Sequence, residues 1–122
     1  MNRFRTDSDP REFLPLTPVA FEILLSLAEG EQHGYSIMRT AGERSGGAAE
    51  IHAGTLYRAL SRLLSQGLIV ELDERPAPEL DDERRRYYRI TPFGRKVARA
   101  EVRRLAQTLA LARARGFAPK EA

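Results

Sequence analysis

The residue types with the most chemical capacity gather in one stretch, Ile51-His-Ala-Gly-Thr-Leu-Tyr-Arg-Ala-Leu-Ser-Arg-Leu-Leu-Ser-Gln-Gly-Leu-Ile69. At helical spacing Leu56, Leu60, Leu63 and Leu64 form an inward stripe, leaving Thr55, Tyr57, Arg58, Ser61, Arg62 and Ser65 outside it. The outer set consists of hydroxyls and guanidiniums, groups suited to hydrogen-bonding base edges and phosphates. A guanidinium can bond both acceptors of a guanine edge, so Arg58, in the N-terminal half of the helix, is the first candidate for base readout. Thr55 and Tyr57 flank it, and Arg62, one turn on, suits a phosphate. Gly54 admits close approach of the sugar-phosphate chain, and free amides of the first helical turn can donate to a phosphate oxygen. Tyr57 alternatively suits packing as a partly buried aromatic beneath the wing.

Other chemistries find little support. The two histidines, His33 and His52, have no partner at His-Glu-x-x-His spacing, so a capping or surface role is expected and no metal site. Nucleophile-elbow, P-loop and dinucleotide-binding glycine patterns are missing, and the clustered carboxylates fall where nothing would raise a pKa for acid catalysis. We therefore expect neither an enzyme nor a cofactor. The absence of cysteine fits a reducing cytosol. No apolar run reaches the roughly 18 to 20 residues of a membrane span, and the N-terminus lacks a signal-peptide pattern, so a cytoplasmic protein without membrane contact is expected.

Charge is unevenly spread over the 122 residues, although the net value is only +3. Residues 71–83 hold seven acids against Arg75, whereas residues 84–115 hold eleven Arg or Lys against Glu101. Such a basic region either attracts phosphate or is a solvated helix surface.

The elements that must position these groups follow from periodicity and punctuation. Residues 1–15 are polar without a period and read as a flexible arm. Thr17 and Pro18 cap and open a first helix, with Phe21, Leu24, Leu25 and Ala28 on one face and Gly30 ending it. A second helix starts near His33-Gly34-Tyr35, turns Ile37, Met38 and Ala41 inward, and ends at Ser45-Gly46-Gly47. The third helix stops at Gly67. Leu68–Leu72 and Arg85–Ile90 then read as two strands of a hairpin with an acidic tip. Alternation puts Arg86, Tyr88 and Ile90 on one face and Arg85, Tyr87 and Arg89 on the other, with Arg84 and Arg86 favoured as the phosphate clamp. From Thr91-Pro92 no breaker occurs until Gly116, which allows a helix of about 23 residues, roughly 35 Å long. Ala98, Val102, Leu105, Leu109 and Ala112 keep the 4-3-4-3 spacing of a coiled-coil seam. That seam predicts a homodimer, unless the helix folds back on its own domain.

The expected fold is mainly α with a small β-hairpin wing: a winged helix-turn-helix over 16–91, a C-terminal dimerisation helix over 92–115, and a tail over 116–122. In that frame Tyr35 and Ser36, opening the second helix, become candidates for phosphate contacts.

Several segments, spanning about residues 15–105, together resemble the PadR family of winged-helix regulators: Leu27-Ala-Glu-Gly30 before His33-Gly-Tyr35, Gly54-Thr-Leu-Tyr57, Gly67-Leu-Ile69, and Arg85-Arg-Tyr-Tyr-Arg-Ile-Thr-Pro92. The resemblance implies a dimeric DNA-binding repressor of the shorter type, with one helix after the wing, acting on a palindromic double-stranded operator. It also implies response to a small aromatic or drug-like effector, for which Phe93, Val97 and the aliphatic seam are the expected lining. Two residues depart from the family pattern, Ala53 and Arg58, each standing where proline is usual, and the last helix has no tryptophan for flat ligands. The alternative is a winged-helix protein-interaction adaptor whose arginines are only solubilising.

Overall fold

The computed structural model describes residues 8–44, 52–72 and 86–117. Four helices, α1 (Pro18–Leu27), α2 (Gly34–Arg44), α3 (Ala53–Ser65) and α4 (Pro92–Ala114), surround a small antiparallel sheet of β1 (Gln32–His33), β2 (Ile69–Glu71) and β3 (Tyr87–Ile90). The sheet order is β1-β3-β2, with Gln32 opposite Tyr88, and Ile69 opposite Ile90. The expected hairpin is therefore part of a three-stranded sheet. β1 is only two residues long and too short to show alternation, which is why periodicity alone does not reveal it.

The helices start where the chain supplies caps. Thr17 Oγ1 accepts the Ala20 N–H at 3.1 Å ahead of Pro18, and Thr91 Oγ1 accepts the Gly94 N–H at 2.9 Å ahead of Pro92. His33, just before α2, accepts the Ser36 N–H on Nδ1 at 3.2 Å, so the ring is the cap foreseen for it. Gly67 closes α3 with φ of +75°, where a side chain would be strained. Immediately beyond, Thr91 Oγ1 donates to the Gly67 carbonyl at 2.8 Å, tying the end of α3 to the start of α4. Gly94 permits that proximity: a Cβ there would lie 2.1 Å from the Leu68 carbonyl oxygen.

The core comprises Ile23, Leu24 and Leu27 of α1, Ile37 of α2, Leu56, Leu60 and Leu63 of α3, sheet residues Ile69, Tyr88 and Ile90, Leu68, and Phe93 and Val97 of α4. Burying an aliphatic side chain of this size contributes about 1.5–3 kcal/mol, so these residues set the relative placement of the helices. The inward face of α1 differs from the expected one: Ile23 and Leu27 are buried, whereas Ala28 is exposed and Phe21 and Leu25 are half-buried. The wall presented by α3 and β3 lies a third of a turn from the face that the Phe21-based count selects.

Two further expectations are corrected. Residues 10–13 form a 3-10 helix capped by Asp9, and Phe13 meets Phe93 edge-to-face with ring centroids 5.3 Å apart. The described part of the N-terminal segment is thus docked, because it carries apolar Phe13, Leu14 and Leu16 that pack on the core. The segment is further pinned by the Leu16 N–H, which donates to the Glu101 carboxylate at 3.0 Å. Phe93 and Val97, expected to line an effector pocket, are 6% and 0% exposed and belong to the core. They sit on the first turns of α4, where that helix packs on α1 and on the 3-10 helix of residues 10–13, and are buried there.

Candidate nucleic-acid interface

α3 is amphipathic in the sense its sequence dictates. Leu56, Leu60 and Leu63 are buried and Leu64 is half-buried, so the opposite face is turned to solvent, with Tyr57, Arg58, Ser61, Arg62 and Ser65 exposed and Thr55 half-buried. Arg58 folds back along the helix, its Nη2 donating to Thr55 Oγ1 at 3.4 Å, close to Gly54. A long, exposed contact of this kind costs little to exchange for another acceptor. His52, the residue before the first turn, makes no side-chain cap hydrogen bond to it. Ser65 donates to the Arg62 carbonyl at 2.8 Å and is committed to its own helix.

Tyr57 does two things at once. Its ring lies against Gly34 at the start of α2, where a Cβ would come within 2.9 Å of the hydroxyl, yet the side chain stays 52% exposed. The packing contact is with α2, where Gly34 leaves room for the ring edge, and it coexists with outward presentation of the side chain. Next to it Tyr35 is exposed, lies beneath Arg39 at 5.8 Å, and stacks on His33 at 6.4 Å. His33 in turn meets Tyr87 edge-on at 5.2 Å, linking the helix-turn-helix to the wing strand. Ser36 is half-buried, its hydroxyl 3.2 Å from His33 Nε2, and is therefore less available than Tyr35.

On the wing, Tyr88 and Ile90 point into the core, and Arg86 shares their parity. It nevertheless reaches solvent because it precedes the first residue of β3. Its guanidinium lies 3.5 Å from the Glu71 carboxylate at the edge of a cleft between α3 and the sheet, lined also by Tyr57, Ser61 and Tyr88. Burial, and secondarily the Glu71 charge, push the Tyr88 phenol above its ordinary pKa, so it stays a neutral hydrogen-bonding group. Arg84 and the hairpin tip lie outside the described residues. Sequence reasoning missed Glu71, the one acid among the described residues of α3, β2 and β3. The pairing of its strand with β3 is the hairpin expected from the sequence, but the register that sets Glu71 opposite Tyr88 is fixed by no local pattern.

α4 leaves the core behind after Glu101. Val102, Leu105 and Leu109 are 51%, 40% and 37% exposed, Ala98 and Ala112 are half-buried, and Leu111 is 54% exposed. Glu101 itself is 2% exposed, held by the Leu16 N–H and by Arg104, which donates through Nη2 at 3.1 Å and through Nε. The Arg104 hydrogen bonds hold the Glu101 carboxyl below the usual carboxylate range, against the opposing effect of burial. No helix among the described residues is long and apolar enough to cross a membrane.

Comparison with known proteins fits this geometry. Residues 23–100 match the model of the transcriptional regulator PadR-like family. A transcriptional regulator from Clostridium thermocellum superposes with a TM-score of 0.67 at 29% identity, over 84% of this chain and 89% of that one. RosR of H. salinarum superposes at 0.60 with 30% identity, covering 80% and 78% of the two chains. Bacillus subtilis PadR, solved in complex with operator DNA, shares the fold at a TM-score of 0.60 and 21% identity, over 70% of this chain and 47% of its own. No curated protein is significantly similar to the chain.

Proposed function

Because the chain belongs to the PadR-like family of transcriptional regulators, we propose that it binds double-stranded DNA sequence-specifically as a homodimeric repressor that a small molecule releases. The observation that carries this reading is the outward face of α3. Three leucines lock the helix into the core and leave Tyr57, Arg58 and Arg62 exposed on the other side, with Arg86 of the wing across the cleft. A helix presented in this way can enter a major groove with its N-terminal residues on base edges. In that pose Thr55, Tyr57 and Arg58 read bases, while Arg62, Arg86, Tyr35, Ser36 and the amides near Gly54 hold phosphates. The complex of the Bacillus subtilis protein with operator DNA supports the same use of the shared fold.

Dimerisation is supported by the part of α4 that runs past the core. Exposed Val102, Leu105 and Leu109 are apolar at seam spacing, and pairing α4 with a second copy removes them from water. Ala98 and Ala112 extend the seam at its two ends. Two-fold symmetry then places two copies of α3 in successive major grooves about one helical turn apart.

Selection of bound duplexes from a randomised pool tests the reading. Enrichment of a two-fold-related sequence with half-sites about one turn apart is expected. A pool that stays random after repeated rounds would reject sequence-specific binding and favour the adaptor alternative.

A further inference from the structure

His33 stands where the helix-turn-helix meets the wing. As the residue before α2 it accepts the Ser36 N–H on Nδ1 at 3.2 Å, the bond that a capping side chain makes to the third residue of its helix. As part of β1 it is paired with Tyr87 of β3, whose ring it meets edge-on at 5.2 Å. It also stacks on Tyr35, with ring centroids 6.4 Å apart. One imidazole thus holds the start of α2, where Tyr35 is exposed, against the strand that Arg86 precedes.

The cap fixes the protonation state of the ring. A backbone N–H can only donate, so Nδ1 carries no hydrogen and the neutral ring has its hydrogen on Nε2. Nε2 lies 3.2 Å from Ser36 Oγ and can donate to it. An imidazolium has a hydrogen on both nitrogens and accepts nothing, so protonation ends the cap. It also places a positive charge at the positive end of α2. The groups around the ring do not compensate. From α2 come Tyr35 and, 5.8 Å over the Tyr35 ring, the Arg39 guanidinium; from β3 comes Tyr87; and Tyr57 of α3 lies against Gly34, the next residue in the chain. None of these is an acid.

We propose that neutral His33 is a positioning residue for DNA binding: it sets the first turn of α2, with Tyr35 and Ser36, relative to the wing, and its protonation weakens the hold on DNA. The proposal rests on the DNA-binding reading above. Loss of a side-chain cap shifts the ordering of a helix start by about fivefold. Attraction between a charged ring and phosphate acts the other way. A phosphate on the Tyr35 hydroxyl would lie a ring's length away in water, where such an attraction gives about two- to threefold. The cap therefore decides the sign.

The chain has two histidines, so replacing His33 leaves His52 as a background common to every variant. Because phosphate contacts do not depend on sequence, a mixed-sequence duplex serves as the probe. Wild type, His33→Asn and His33→Ala are compared by fluorescence anisotropy at about pH 7.5 and about pH 5, on either side of the ordinary histidine range, with melts confirming that each is folded. Asparagine keeps a cap acceptor at both pH values and alanine has one at neither. The affinity of wild type relative to His33→Asn is expected to fall about fivefold at the lower pH, while His33→Ala keeps a constant ratio to His33→Asn. A wild-type ratio that stays constant, or rises in acid, would overturn the role of His33 and leave DNA binding standing. A wild-type chain that binds no duplex at either pH would instead remove the DNA reading, and this role with it.

Discussion

Arg58 carries the most specific consequence at the scale of single residues. It is exposed on the first turns of α3 and, among the described residues, is held by a 3.4 Å contact to Thr55 that costs little to exchange for a guanine edge. Arg58→Ala should cost about 1–3 kcal/mol on the preferred sequence and little on random DNA. Equal losses on both, measured by fluorescence anisotropy, would remove its readout role. Arg62→Ala and Arg86→Ala should instead weaken all DNA alike and flatten the salt dependence by about one unit each. Gly94 makes a different kind of demand, because a methyl group there would stand 2.1 Å from a backbone carbonyl that cannot swing aside. Gly94→Ala should destabilise by about 3 kcal/mol or more, read from denaturant midpoints. The outward set on α3 was legible because helical periodicity alone separates four leucines from the polar face. Glu71 and the Gly34–Tyr57 contact were not, since both depend on which distant segments are brought side by side.

Among the elements, α4 and the N-terminal segment depend on one another through Glu101. The carboxylate is buried, yet hydrogen bonds from Arg104 and Leu16 favour its charged form and lower its folded-state pKa. A lowered pKa means that the stabilisation is in place above the ordinary value near 4.5 and fades as pH falls through the lower folded value. Glu101→Gln should therefore reduce the acid sensitivity of unfolding below pH 4.5 while lowering stability at neutral pH. Parallel acid limbs for the two proteins, in melts collected across pH, would contradict this. The start and stop of α1, α3 and α4 were readable because Thr17, Thr91 and Gly67 act locally. The docking of residues 9–16 was not: Phe13, Leu14 and Leu16 show no period, and their partners Phe93 and Glu101 lie some 80 residues away. The same gap misplaced Phe93 and Val97. Spacing marks them as apolar helix residues, but whether such residues face core or cavity is decided by what packs against the first turns of α4.

For the whole molecule, Val102, Leu105 and Leu109 lie exposed along α4, and they are the surface that the proposed dimer would cover. Leu105→Asp with Leu109→Asp should yield a monomer by light scattering, with the fold of the DNA-binding part retained by circular dichroism. A persistent dimer would reject the α4 seam. The account turns most directly on DNA recognition, and anisotropy binding to the DNA upstream of the protein's own gene, beside a shuffled duplex of equal composition at two salt concentrations, tests it in one experiment. A clear preference for the upstream DNA, with affinity falling steeply as salt rises, is the predicted result. Equal binding to both duplexes with little dependence on salt would contradict it.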